Sequence, residues 1–369
     1  MANIHDYLYW RGDLMIEQFP FNEVDALILA KLSYIPFEMI HLHTRNQPVS
    51  VKEAADLLLS LPELPKRVHF QDDVDFLREL SVSSRFCDMQ LSGYVNKVEA
   101  ENQTQFSAVA IQITEQRHYI SFRGTDASLV GWKENFNMGF TFPVPAQKSA
   151  LEYLLHTAAD KPGSLILGGH SKGGNLAMYA AVFSRETIQA RIDAVYNFDG
   201  PGFDGKVLAL SEYPRICGKI TTFVPQSSIV GLLLEHEEQY IIVKSAEKSV
   251  MQHDVSSWEV ERDHLCWLDH ITSASRLIDH TLKGWLAEMD ISQREKIVDA
   301  LYSILKKTKA QNFQEFEERW FECTVIIFST LGNLDEDTKK LITDALSLLV
   351  KNAKNSLAQM DDIWSAKKT

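Results

Sequence analysis

A chain of 369 residues, 45% hydrophobic and 24% charged, carries enough apolar material for a sizeable core, which excludes wholesale disorder. It is longer than a single domain of roughly 150 residues, so a large domain with insertions, or a core with an accessory region, is expected. A formal net charge of −13 argues against sequence-independent binding to nucleic acid and against anionic membrane surfaces.

From the N-terminus, Met1 to Asp13 mixes His5, Asp6, Arg11 and Asp13 with aromatics and lacks the apolar run of a signal peptide. Asn22 to Leu32 places Val24, Leu27, Ile28 and Leu32 near helical spacing. Ser50-Val51-Lys52-Glu53 reads as a capping box before Ala54, Leu57, Leu58 and Leu59, and Gln71 to Leu80 continues in helical style. The texture changes at Phe106 to Ile113, which with Arg117 to Phe122 reads as a strand hairpin.

Helical and strand patterns then alternate: a helix from Ala146 to about Ala159, a strand at Ser164 to Gly168, a helix from Lys172 to Phe183, then strands at Asp193 to Phe198, Ile220 to Val224 and Tyr240 to Val243. Such alternation predicts an α/β fold with a mostly parallel sheet and flanking helices. After Asp269 only helical periods remain. Ile297, Leu301, Ile304 and Leu305 follow a capping box at Ser292-Gln293-Arg294-Glu295, and Leu341, Ala345, Leu348 and Leu349 mark a last helix. The expected organisation is an N-terminal helical segment (1–90), an α/β core (91–268) and a C-terminal helical region (269–369).

Cys87, Cys217, Cys266 and Cys323 lie far apart without a C-x-x-C pair, so neither a zinc ligand set nor a disulfide framework is expected. No stretch approaches the ~20 uncharged apolar residues of a membrane-spanning helix. Together these features predict a soluble cytoplasmic protein with no metal or cofactor.

The segment Ser164 to Ala177 contains Gly169-His170-Ser171-Lys172-Gly173, a G-x-S-x-G pattern between an apolar strand and a helix. A nucleophilic serine there sits on a sharp turn. Small residues two positions to either side let strand and helix approach, and the helix N-terminus stabilises negative charge beside Ser171. The bare pattern is weak; its strand-to-helix setting strengthens it against a glycine-rich turn with a bystander serine. A Walker A loop does not fit, because no hydroxyl follows Lys172.

Acyl transfer also needs an oxyanion hole, for which Lys172 supplies one amide. Phe122-Arg123-Gly124-Thr125-Asp126 runs off a strand into a turn from which Thr125 can present an amide and a hydroxyl, although the same residues suit a plain turn. The general base is expected after the last strand, where His253 comes first and His264 and His270 follow. His236 precedes that strand and reads as a surface residue. His170 reads as structural and directed away from the pocket.

Phe122-Arg123-Gly124-Thr125 followed by Gly169 to Ala177 resembles the class 3 lipases of the α/β-hydrolase fold. Asp25-Ala26-Leu27-Ile28, Val224 to Gly231 and Gln252-His253-Asp254 bring the chain closer to an uncharacterised bacterial Mbeg-like branch, over roughly residues 1–290. The resemblance implies an α/β-hydrolase fold, a Ser171 nucleophile and a His253 base. The position at which class 3 lipases carry their acid reads Ser228 here. One strand earlier, Phe198-Asp199-Gly200-Pro201-Gly202 resembles the acid turn of pancreatic-type lipases, which makes Asp199 the favoured acid over Asp254 and Asp263. Trp132 to Pro143 corresponds to the lid of class 3 lipases, and its Trp132 and Phe136 are candidate substrate contacts, unless its aromatics are core filling. The expected activity is hydrolysis of a small-molecule or lipid ester. The alternatives are a thioesterase or lysophospholipase with the same triad, or a noncatalytic interaction protein.

Overall fold

The structure, a computed structural model, describes residues 1–307, 330 and 336–366 apart from residues 46, 100 and 127. Cys323 lies outside these residues; Cys87, Cys217 and Cys266 are thiols. The helices in chain order are α1 (Ile4–Arg11), α2 (Glu23–Leu32), α3 (Val51–Leu59), α4 (Asp73–Val82), α5 (Leu129–Asn137), α6 (Pro145–Asp160) and α7 (Lys172–Phe183). Short helices α8 (Glu186–Gln189), α9 (Gly205–Leu208) and α10 (Tyr213–Cys217) precede α11 (Ser273–Ala287), α12 (Ile291–Lys307) and α13 (Glu336–Ala366). The strands are β1 (Val49–Ser50), β2 (Gln90–Glu99), β3 (Thr104–Thr114), β4 (Arg117–Phe122), β5 (Ser164–His170), β6 (Ile192–Phe198), β7 (Ile220–Pro225) and β8 (Gln239–Val243), followed by the two-residue β9 (Val260–Glu261), β10 (His264–Leu265) and β11 (Trp267–Leu268).

Two compact units divide the chain. The first comprises Met1–Val98, Gln105–Gly124 and Pro145–Ile271; the second comprises Glu99–Thr104, Thr125–Val144 and Thr272–Thr369.

The first unit holds a nine-stranded sheet in the order β1-β2-β3-β4-β5-β6-β7-β8-β11. Strands β4 to β8 run parallel, with β3 antiparallel to β4 on one side and β11 antiparallel to β8 on the other. Both faces are covered, which is why the parallel strands read as apolar runs rather than alternating ones. Tyr119 and Ile166 face a core shared with the N-terminal helices. Ile120, Phe122, Leu165 and Leu167 face a core shared with α6 and α7.

The N-terminal helices are therefore a layer of the sheet. Helix α2 is buried from Val24 to Leu32, and the sheet reaches its backbone: Tyr119 Oη donates to Ala26 O at 2.9 Å and Ser121 Oγ to Leu29 O at 2.8 Å. Its buried charges are paired. Asp25 meets Arg85 at 2.5 Å, and Lys31 meets Asp72 and Asp73 at 3.0 and 3.1 Å. The expected cap at Ser50 is present, its side chain accepting from Glu53 N at 3.0 Å.

In the second unit α5 is capped by Ser128 and lies against α12, where Lys133 Nζ meets Asp299 at 2.9 Å. Helix α11 packs on α13, with Trp285 Nε1 donating to Ala345 O at 2.8 Å. The expected capping box at Ser292–Glu295 is displaced. Asp290 and Gln293 cap α12 reciprocally, at 2.8 and 3.0 Å, so the helix begins two residues earlier. No helix among the described residues is long and apolar enough to cross a membrane.

Candidate active site

Strand β5 ends at His170 and α7 begins at Lys172, leaving Ser171 between them at φ 58°, ψ −134°. A side chain rarely adopts that conformation; it costs on the order of 1–3 kcal/mol and persists only where the surroundings enforce it. The enforcement is visible. Ser171 N donates to Phe198 O at 2.8 Å on the neighbouring strand, and Gly174 N returns to Ser171 O at 2.9 Å. A Cβ on Gly169 would collide with the Gly173 backbone, and one on Gly173 with the Phe122 carbonyl. The two small residues expected from the spacing are thus required by close approach of three backbones. The Lys172 amide lies in the first helical turn, where N–H groups have no partner within the helix.

Parallel pairing of β5 with β6 sets His170 beside Phe198, and Asp199 follows directly. Asp199 is 1% exposed with φ 52°, and its carboxylate has three donors. Gly231 N donates to Oδ1 at 3.1 Å, Ser228 Oγ also donates to Oδ1, and His253 Nδ1 donates to Oδ2 at 2.6 Å. Ser228, the position at which class 3 lipases carry a carboxylate, is therefore a hydrogen-bond partner of Asp199 from the preceding strand end. A Cβ at Gly231 would strike Asp199 Oδ1, so glycine is needed there for the amide to reach it.

His253 closes a 3-10 turn, Ser249–His253, on the excursion between β8 and β9. Because a carboxylate accepts, Nδ1 carries the proton in this pair, and Nε2 is the nitrogen not engaged by Asp199. The imidazole is 30% exposed. Its ring packs on that of His170 with centroids 4.4 Å apart, and its backbone carbonyl accepts from His170 Nε2 at 2.7 Å. Asp254 instead caps the following turn, accepting from Ser256 N at 3.0 Å. Among the other histidines, His264 bonds Leu265 O at 2.9 Å and His270 is exposed. His236 is not a surface residue: its side chain is 8% exposed and meets buried Glu238 at 2.6 Å. Burial alone would raise the Glu238 carboxyl, but His236, Thr222 and Tyr213 outweigh it and bring the pKa down to about 2.

Gly124 lies two residues past the end of β4 with its backbone against Ser171 Cβ and the His170 carbonyl, where a side chain would not fit. Thr125 follows in the second unit; its hydroxyl is buried and has no hydrogen-bond partner among the described residues. Phe136 is half exposed on α5, and the side chain of Trp132 lies outside the described residues.

Several supporting side-chain contacts escaped the sequence reading. Asn175 donates to Pro201 O at 3.0 Å and Gly202 O at 2.8 Å, tying the turn after Asp199 to α7. Asn197 accepts from Gly200 N at 2.9 Å. Lys172 Nζ donates at 2.7 Å to both Gln105 O and Gln105 Oε1, while Gln105 Nε2 reaches Gly124 O at 3.4 Å. The available signal was an amide and a lysine within the apolar stretch Lys172 to Phe183, since buried polar groups need partners.

The site defines an α/β protein with a strained serine between a parallel strand and a helix, beside an aspartate at the adjoining strand end that is paired with a histidine from the excursion after β8. A family model described as Mbeg1-like matches residues 80–303, more than half of the chain and all of Ser171, Asp199 and His253. The chain belongs to the Mbeg1-like family. Among solved structures it is similar to one described as the crystal structure of M37 lipase, with 18% identity over 56% of this chain and 69% of that one and a TM-score of 0.36. No curated protein matches the chain.

Proposed function

We propose that this chain is a serine hydrolase of the α/β-hydrolase type acting on carboxylic esters. The observation that carries the reading is the 2.6 Å bond from His253 Nδ1 to buried Asp199, with the ring of that histidine packed on the residue preceding Ser171. In the proposed reaction His253 Nε2 takes the Ser171 hydroxyl proton as Oγ attacks the ester carbonyl. Asp199 stabilises the imidazolium, which then protonates the leaving alkoxide and yields an acyl-enzyme. Water, deprotonated by His253, releases the acid. The Lys172 amide is the first oxyanion donor; Thr125 is proposed as the second from its place one residue past Gly124 and its buried hydroxyl, which has no hydrogen-bond partner among the described residues. Trp132 and Phe136 are proposed substrate contacts.

The noncatalytic alternative drew on the missing carboxylate at position 228. It loses that support, because Ser228 donates to an acid supplied by the preceding strand. A fluorophosphonate probe tests the reading: one adduct is expected, on Ser171 by peptide mass spectrometry, and none in Ser171→Ala. Equal labelling of that variant, or no labelling of the wild-type chain, removes the assignment.

A further inference from the structure

Resting on the Ser171–His253 reading, we infer that His170 is a positioning residue which fixes the reach of the base to the nucleophile through a neutral imidazole. His170 is covalently joined to Ser171, and its Nε2 lies 2.7 Å from the carbonyl oxygen of His253. A carbonyl only accepts, so Nε2 carries the hydrogen. The other nitrogen, Nδ1, stands 3.0 Å from Tyr34 Oη, just past the end of α2. With Nε2 as donor, the neutral ring accepts the Tyr34 hydroxyl proton at Nδ1, and one tautomer satisfies both contacts.

The spacing between residues 171 and 253 is thereby set by a short link: a peptide bond, the buried His170 side chain and one hydrogen bond. The ring itself is held from the N-terminal layer. Tyr34 is 4% exposed and packs on His69, Phe70 and His170 with centroids 4.9, 5.1 and 5.7 Å apart. His253 is consequently fixed at both ends, its ring by Asp199 and its carbonyl by His170.

Neutrality is part of the device. In the proposed reaction His253 becomes an imidazolium 4.4 Å from the His170 ring, so a second positive ring there would oppose the proton transfer. The groups facing His170 are His253, His69 and Lys31, with Tyr34 as its polar contact. Burial, then the neighbouring His253, His69 and Lys31, hold His170 well below the ordinary imidazole range. Asp199 bonds His253 and Lys31 is itself paired with Asp72 and Asp73, and among the described residues the polar contacts of His170 are to Tyr34 and the His253 carbonyl.

Three variants of the full chain test the inference through the rate constant for fluorophosphonate labelling of Ser171, with thermal melting measured in parallel. His170→Phe keeps a ring and removes the donor; His170→Gln places an amide N–H near the position of Nε2. Labelling of His170→Phe is expected to fall about 100-fold, the scale of an ångström of misplacement, while His170→Gln stays within about tenfold of wild type. Tyr34→Phe removes the contact that holds the ring at Nδ1, so labelling should slow about tenfold, a loss that restores the test if His170→Phe does not fold. Wild-type labelling of His170→Phe or Tyr34→Phe overturns the inference, as does an equal fall of Gln and Phe variants that melt like wild type. Those outcomes leave the reading itself intact provided His253→Ala is silent. Wild-type labelling of His253→Ala, by contrast, removes the reading and this inference together.

Discussion

Asp25 in the N-terminal layer and Asp199 at the end of β6 are both buried carboxylates with several donors, yet they offer different chemistry. Asp25 accepts from Arg85 Nε at 2.7 Å, Arg85 Nη2 at 2.5 Å, Tyr7 Oη at 2.9 Å and Asn22 N at 2.9 Å. The remaining N–H groups of Arg85 reach the carbonyls of Leu14, Phe19 and Pro20 at 3.0, 3.0 and 3.1 Å. That cluster is closed. Arginine keeps its charge at all relevant pH, and the Arg85 side chain is wholly buried, so the cationic partner in it does not give up its proton. Asp199 has a partner that can gain or lose a proton and whose ring is 30% exposed. Burial and pairing are therefore common to both carboxylates; a titratable, partly open partner is what sets Asp199 apart.

The largest expected effect is on the open pair. Asp199→Asn keeps the shape of the side chain while removing the charge that favours an imidazolium, and should slow ester turnover on the order of 10⁴-fold. Its melting curve should change little by comparison. If turnover survives within tenfold, the likeness of this pair to a catalytic dyad fails. The closed pair should answer in stability instead. Arg85→Leu strands a buried carboxylate and should cost about 3–5 kcal/mol in denaturant unfolding, whereas the double variant Arg85→Leu/Asp25→Leu should recover most of it. Labelling of the folded fraction at Ser171 should stay unchanged in both. An Arg85→Leu chain as stable as wild type would dissolve the contrast. A smaller effect is expected from Ser228→Ala, which removes one of three donors to Asp199 and should slow labelling roughly tenfold, consistent with one hydrogen bond to a charged group.

The parallel core and the serine turn were legible because their causes are local. Strands covered on both faces read as apolar runs, and Gly169 and Gly173 stand at the spacing that close backbone approach demands. Strand β2 was not legible: Gly93, Asn96 and Lys97 interrupt its pattern, and several of its positions are exposed or only partly buried. The α12 cap was misread because Asp290-Ile291-Ser292-Gln293 satisfies the same cap pattern two residues before Ser292–Glu295. Local pattern cannot reveal what is distant in sequence. His170 draws its meaning from Tyr34 and His253, 136 and 83 residues away, and Ser228 from Asp199, 29 residues away. The elbow geometry suggested a structural His170 directed away from the pocket, whereas its ring packs on that of His253 and bonds the carbonyl of that residue.

The contrast between closed and titratable clusters can be sharpened at His5, where the smallest effect is expected. His5 Nε2 meets Asp72 at 2.9 Å and Nδ1 meets Glu79 at 2.6 Å, an arrangement in which both nitrogens donate and the imidazolium is favoured. The hydrogen bond to Asp72 raises its pKa, burial opposes, and Glu79 adds to the rise. A folded pKa above the unfolded value of about 6.5 means that the stabilisation is fully present below about pH 6.5 and fades as pH climbs through the folded value. His5→Gln should therefore lose about 1 kcal/mol near pH 6, as measured by denaturant unfolding, and converge on wild type at alkaline pH. A difference that stays constant, or widens, as pH rises would mean that His5 acts by packing against Phe76 rather than by charge. The same Asp72 accepts from Ser256 Oγ at 2.5 Å, three residues beyond His253. Unlike Arg85, His5 can release its proton, so this cluster resembles the Asp199 pair in kind. It differs in that both nitrogens are occupied, which leaves none to accept a proton from a substrate or a nucleophile.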